Sequence, residues 1–197
     1  MTLDLPDLDP RIAAILQAAF AAFCQYGYRR TSMEDIAQGA GMSRAALYLH
    51  YRNKEDILRS FTQVYFDQSL VEVQRILTPG RDVVEALSDL VASAGGPKIE
   101  QIIASAHGQE LLEAKQSACG DVVSAGVARV NAAVAAWLSD EADAGRVDLS
   151  AVGGNAGAVA SMLFNAWHGL KENAATPTAF VTGGQDLARL FGRALRP

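Results

Sequence analysis

Between Pro10 and Cys24 the apolar residues Ile12, Ile15, Leu16, Ala19, Phe20, Phe23 and Cys24 recur every three or four positions, the period of one helical face, and Gly27 ends the run. Asp9 ahead of Pro10 is a capping residue before a proline at the first helical position, so the first helix is predicted to start there. The period returns in Ile57, Leu58, Phe61, Val64 and Tyr65, which predicts a helix from Asn53 to about Leu77, broken by Thr78-Pro79-Gly80. Beyond it the pattern predicts a helix over 82–94, a break at Gly95-Gly96-Pro97, and a helix over 98–106 with a continuation or a kinked second piece to Ala114. Gly120 then leads into a helix over 121–144 striped by Val123, Val127, Val130, Val134, Trp137 and Leu138 and ended by Gly145. Ser150 or Asn155 caps the next, which reaches about Asn173 with Val159, Met162, Leu163, Ala166, Trp167 and Leu170 apolar. Thr176-Pro177 stops it, and a last helix runs from Thr178 or Gly184 to Leu195 with Leu187, Leu190, Phe191 and Leu195 inward. No segment alternates with the two-residue period of a strand, so the chain reads as all-α.

The stretch Thr31 to Leu58, TSMEDIAQGAGMSRAALYLHYRNKEDIL, packs three helix starts into a short space. Thr31 or Ser32 opens a helix, with Glu34 and Asp35 three residues on as capping-box partners. Gly39 and Gly41 end it, because a helix C-terminus wants the positive φ that glycine adopts without strain. Ser43 caps a second helix, with Met42 and Leu47 spaced as a hydrophobic staple, and Asn53 caps a third whose first turn carries Glu55 and Asp56. Two short helices joined by a glycine turn form a helix-turn-helix unit, whose second helix can enter a DNA major groove. Ile36, Ala37, Ala40, Met42 and Leu47 are predicted to pack inward, leaving Arg44, Ala45, Ala46, Tyr48 and His50 outward.

Charge sharpens that reading. The 197 residues are 50% hydrophobic and 20% charged with net charge -5, which suits a helical protein with a real core and excludes a uniformly basic nucleic-acid coat. Between Arg29 and Arg59, however, Arg29, Arg30, Arg44, Arg52, Lys54 and Arg59 outnumber Glu34, Asp35, Glu55 and Asp56, a basic nose on an acidic body. Arg29 and Arg30 precede Thr31, near enough to hold a phosphate or else solvated in a loop. The two cysteines, Cys24 and Cys119, have no metal spacing and no disulfide framework, and read as buried thiols, Cys119 beside Gly120 being the candidate for redox sensing. The acidic N-terminus has no signal-sequence pattern and no stretch reaches the length of a membrane span, so a soluble, cytoplasmic protein with no membrane partner is expected.

The order of a cap, IAQGAG, MSRAALYLHY and RNKEDIL resembles the DNA-binding domain of the TetR family of bacterial transcriptional regulators, over roughly the first third of the chain. The resemblance implies an N-terminal three-helix helix-turn-helix domain over 1–52, a connecting helix over 53–77, and a C-terminal helical bundle over 78–197 for ligand binding and dimerisation. It implies a homodimer on double-stranded DNA carrying a palindromic operator, acting as a repressor released by a small apolar effector of unknown identity, without cofactor or metal. An activator, a regulator controlled by a protein partner, a regulator with no effector, and an architectural DNA-binding protein are the alternatives. Ser43, Tyr48, His50 and Lys54 resemble the family's phosphate-contacting and base-edge positions, and Thr31, Ser32, Arg44, Ala45 and Ala46 complete the DNA-facing set. Arg44 has the reach and fork for a bidentate contact to guanine. Ala45 and Ala46 depart from the family's usual residues and would read bases through methyl contacts. Leu49 replaces a commoner aromatic or histidine. Asp4, Asp7 and Asp9 make the N-terminal arm unsuited to DNA.

For the second domain the sequence is less specific. His107 and Glu110 share a helix face as an acid–base pair would, but no nucleophile elbow, phosphate loop or HExxH motif joins them, so no enzyme is expected. Gln63, Phe66, His107, Asn131, Trp137, Met162 and Trp167 are the candidates to surround an effector, against ordinary core packing for the apolar ones. Gly153, Gly157 and Ser161 at four-residue spacing suggest a close helix contact between protomers, with Phe164, Leu187 and Phe191, unless Gly153 belongs to the preceding loop.

Overall fold

The computed structural model describes residues 8–95 and 97–197 and contains no strand among them. It comprises α1 (Pro10–Tyr26), α2 (Met33–Gly39), α3 (Arg44–Tyr48), α4 (Lys54–Ile76), α5 (Val83–Gly95), α6 (Pro97–Ala104), α7 (Gly108–Asp143), α8 (Ala156–Asn173) and α9 (Pro177–Ala194). These fall into two compact units, the first from the described part of residues 1–65 together with 104–124, the second from 66–103 and 125–197. Asp4, Asp7 and Gly96 lie outside the described residues.

In the first unit the capping logic of the sequence is realised almost residue by residue. Asp9 accepts the Arg11 N–H at 2.8 Å and Pro10 opens α1. Ile15, Leu16, Ala19, Phe20 and Phe23 form its buried stripe, and Phe20 stacks on Phe61 of α4 at 5.1 Å between centroids. Ile36, Ala37, Leu47, Ile57 and Leu58 complete this core. Residues 104–124, distant in sequence, join it: Arg59 grips both Asp121 carboxylate oxygens, at 2.8 and 2.6 Å, and donates to the Ala118 carbonyl at 2.7 Å. That carbonyl is available because α7 departs from helical geometry at Cys119, with φ −128° and ψ 18°. The break predicted before Gly120 is therefore a kink inside one long helix, held open by an inserted arginine. Cys119 is fully buried there, and burial pushes its thiol up, as it pushes Cys24 to about 11; neither is poised as a redox-reactive thiolate.

In the second unit Val83, Ala86, Leu87, Leu90 and Val91 of α5 face Phe180, Gly184, Ala188 and Gly192 of α9. The glycines are needed for that approach: a Cβ on Gly184 would lie 2.7 Å from Val91 Cγ1, and one on Gly192 2.7 Å from the Val84 Cα. This stripe turns Leu190 outward, 67% exposed, against the expectation that it points in. Thr176 caps α9 through the Ala179 N–H at 3.1 Å with Pro177 at its first position, so the dipeptide predicted to stop one helix starts the next. Asn155, not Ser150, caps α8. Gly153 is in the left-handed region at φ 62°, before α8 begins, so it is no part of a helical glycine stripe.

By length and composition α7 is apolar enough to cross a bilayer, contrary to the expectation that no stretch reaches that length. Alanine, valine and glycine supply much of this character, and Trp137 and Leu138 of the same helix are buried in the second unit.

Candidate nucleic-acid interface

Ser32 caps α2: its hydroxyl accepts the Asp35 N–H at 3.2 Å while the Asp35 carboxylate accepts the Ser32 N–H at 2.8 Å. The Ser32 hydroxyl also donates to that carboxylate at 2.7 Å, which holds the carboxyl below its ordinary value. Gly41, at φ 68°, turns the chain, and Ser43 caps α3 through the Ala46 N–H at 3.2 Å. With Ile36, Ala37 and Leu47 buried between the helices, α3 presents Ser43, Arg44, Ala45 and Tyr48 to solvent, followed by Leu49, 85% exposed, and His50, with Ala46 half-buried. The Arg44 guanidinium lies 5.5 Å from the Tyr48 ring centroid and reaches the Tyr48 hydroxyl at 3.4 Å. One turn of α3 thus carries a planar cation pre-positioned on an aromatic face. Tyr51 is anchored behind it by a 2.8 Å hydrogen bond between its hydroxyl and that of Ser60.

Two of the residues assigned to DNA are not available for it. Thr31 is buried, its hydroxyl donating to the Gly27 carbonyl at 2.7 Å and lying 3.2 Å from that of Ala22, because Ser32 takes the capping role and Thr31 is left to lock the end of α1. Lys54 sends its ammonium to the carbonyls of Tyr28, Arg29 and Thr31, at 2.7, 2.9 and 2.9 Å, with the Tyr28 ring centroid 4.9 Å away. An ammonium has three N–H donors and here each has a carbonyl, so none is left for a phosphate. Burial lowers the pKa of this amine, against a smaller opposing effect from Glu110. Arg59 is likewise engaged with Asp121, and Arg52 with Asp56 at 3.0 Å. Arg52 uses only its Nε in that pair and is 88% exposed, so the exposed cations of the basic nose are Arg29, Arg30, Arg44 and Arg52.

The α1–α2 connection has a support that local pattern did not reveal. Glu110 accepts the Arg29 N–H at 2.7 Å, with His107 Nδ1 3.8 Å from its other oxygen, and Ser105 donates to the Cys24 carbonyl at 2.6 Å. His107, assigned to an effector site, belongs to this tie in the first unit, and exposed Gln63 also lies in the first unit. These contacts join residues 81 positions apart, which no periodicity announces.

The remaining effector candidates lie in the second unit. Trp137 is buried and donates to the Thr78 carbonyl at 3.0 Å. The Phe66 ring occupies the space a Cβ on Gly126 would need, 2.2 Å from it. Asn131 is half-buried, Met162 is 44% exposed on the outer side of α8, and Trp167 is buried on the inner side. Of the dimer candidates, Gly157 and Ser161 are exposed on α8, while Phe164, Leu187 and Phe191 are half-buried.

A capped pair of short helices on a three-helix head, with arginine and tyrosine displayed on the second, is a helix-turn-helix fold. Residues 15–61 match the bacterial regulatory proteins of the tetR family. The uncharacterised HTH-type transcriptional regulator YezE of Bacillus subtilis is 33% identical over 79 residues, 40% of this chain and 40% of YezE. The HTH-type transcriptional repressor KstR2 of Mycobacterium tuberculosis is 29% identical over 83 residues, 42% of each chain. The chain thus spans less than half the length of either curated relative. Over nearly its whole length it has the fold of SmeT, the repressor of the Stenotrophomonas maltophilia multidrug efflux pump SmeDEF, with TM-score 0.71, 22% identity, and coverage of 96% of this chain and 93% of that one. The residues matched to the tetR family of bacterial regulatory proteins, 15–61, are those that build the head.

Proposed function

We propose that the protein is a DNA-binding transcriptional regulator, a homodimeric repressor that sits on a palindromic operator in the cytoplasm and is released by a small, mostly apolar effector. The observation that carries the reading is the exposed Arg44–Tyr48 pair on α3, a preorganised fork at the place where a recognition helix meets base edges. Arg29 and Arg30 flank it as cations for the phosphate backbone. KstR2 and SmeT are both named as repressors, and SmeT has also been solved as a complex with triclosan. Those names favour repression and an apolar effector here.

Dimerisation is supported by α8. From Ala156 to Leu170 it carries no acidic residue, lysine or arginine, and Gly157, Ser161, Met162 and Asn165 stand exposed on it. Four turns of uncharged exposed helix suit burial against a second copy, and a two-fold pair matches a palindrome. The test is selection of genomic fragments by the purified protein. A single inverted-repeat sequence is the expected outcome, and Arg44→Ala weakens it by about 1–3 kcal/mol while relaxing preference at one base pair per half-site. Selection without sequence preference would point to an architectural binder instead.

A further inference from the structure

Buried polar groups in the second unit are matched, with one exception. Glu141 is met by Arg146 and by the Gly80 N–H, and the Trp137 indole by the Thr78 carbonyl. On the inner face of α8, however, Trp167 and Lys171 lie four residues apart and each is 7% exposed. Trp167 Nε1 has no partner, alone in this among the buried side-chain polar atoms of the described residues. The Lys171 ammonium stands 5.5 Å from the Trp167 ring centroid, with no hydrogen bond or carboxylate within ion-pair distance among the described residues. Its neighbour Glu172 is exposed and lies 3.5 Å from His168, and the last-turn carbonyls of Gly169 and Leu170 are taken by Asn173 and the Ala174 N–H. Burial lowers the pKa of the Lys171 amine, against a smaller opposing effect from the charge of Glu172.

We propose that Lys171 and Trp167 form the polar end of the effector site, and that the effector is an apolar molecule ending in a carboxylate. The proposal rests on the effector-released reading above and narrows it. Lysine and indole offer donors and no acceptor, so their complement is an acceptor-only group. A single cation is balanced by a monoanion, which makes a carboxylate the fitting head. Phe164 and Phe180, with ring centroids 6.4 and 5.8 Å from that of Trp167, surround the indole with aromatic surface suited to an apolar body.

Decanoate, 4-butylbenzoate, the neutral decanol and the cationic decylamine are the probes, read on the full chain by tryptophan fluorescence, thermal melting and displacement from the selected operator. A carboxylate is expected to bind about tenfold or more tightly than decanol, and Lys171→Met to abolish that preference while leaving decanol affinity unchanged. Lys171→Met by itself is expected to melt no lower than the wild type, since it removes an unpaired buried charge. Trp167→Phe keeps the ring and is expected to weaken carboxylates several-fold, an independent arm should Lys171→Met fail to fold. Equal binding of decanoate and decanol, equal loss of both in Lys171→Met, or no carboxylate binding at all would overturn the proposal. Operator release by decanol and decanoate alike would keep the effector reading and sink the carboxylate. Lys171-dependent decanoate binding that leaves operator affinity untouched would keep the site and sink effector release.

Discussion

Replacing Lys54 with methionine separates two roles that the same residue type can play beside a DNA-binding helix. Methionine keeps the apolar stem over Tyr28 and removes the ammonium, leaving the carbonyls of Tyr28, Arg29 and Thr31 without their donor. A hydrogen bond to a charged group contributes about 1.5–3 kcal/mol. Lys54 is only half-buried, so water replaces part of what is lost, and each of the three bonds contributes about 0.5–1 kcal/mol. With the cation–π contact at 4.9 Å adding about 0.5 kcal/mol, Lys54→Met should destabilise the head by about 2–4 kcal/mol. Urea unfolding followed by circular dichroism measures this. A phosphate-contacting lysine behaves differently: its removal leaves stability nearly unchanged and reduces the slope of log affinity against log salt by about 0.9. Folded Lys54→Met should instead keep the wild-type slope. A variant of wild-type stability with a slope lower by about one unit would refute the internal clamp and return Lys54 to the DNA backbone.

Thr31→Val keeps the shape of a buried side chain but removes the donor to the Gly27 carbonyl, and should cost about 1 kcal/mol in thermal unfolding with the salt slope of operator binding unaltered. Glu141 is held below the ordinary glutamate value of 4.5, first by its hydrogen bonds from Arg146, partly opposed by burial, and with help from the Gly80 N–H. Its folded-state pKa being depressed, the stability it contributes is present above that value and lost as pH falls through the folded pKa. Glu141→Gln should therefore unfold about 1–3 kcal/mol more easily at pH 7, and the gap to wild type should close on acid titration below 4.5; a gap that widens would show the sign to be wrong. A Cβ at Gly157 meets only Asn155 Oδ1, at 3.4 Å, so Gly157→Leu should leave the protomer folded yet sediment as a monomer; normal dimers would exclude this face of α8. Gly192→Ala, whose Cβ would press on the Val84 backbone at 2.7 Å, should cost about 1–3 kcal/mol in thermal unfolding.

The helices of this protein were legible in the sequence because their signals are local. Asp9-Pro10, Ser32 with Asp35, Ser43 and Asn53 satisfy orphan N–H groups within three residues of themselves, and the apolar stripe of α1 needs only its own period to be seen. The outward set on α3, from Arg44 to His50, follows from the same period once Leu47 is known to be inside. What a cation or hydroxyl does with its hydrogen bonds is not local. Thr31 and Ser32 are equivalent as caps on paper, and only the packing of α1 against α2 turns the first inward. Lys54 reads as a surface lysine until the Tyr28–Thr31 carbonyls, 23 to 26 positions away, are folded around its three donors. Leu190 obeys the apolar pattern of α9 yet faces out, because Gly184, Ala188 and Gly192 let α5 approach the opposite side closely, and small residues carry little weight in a hydrophobic stripe. The unmatched Lys171 and Trp167 are tertiary in the same sense. Spacing shows that they share a face of α8, but that this face is the buried one, with no acceptor waiting there, is decided by the packing of the second unit.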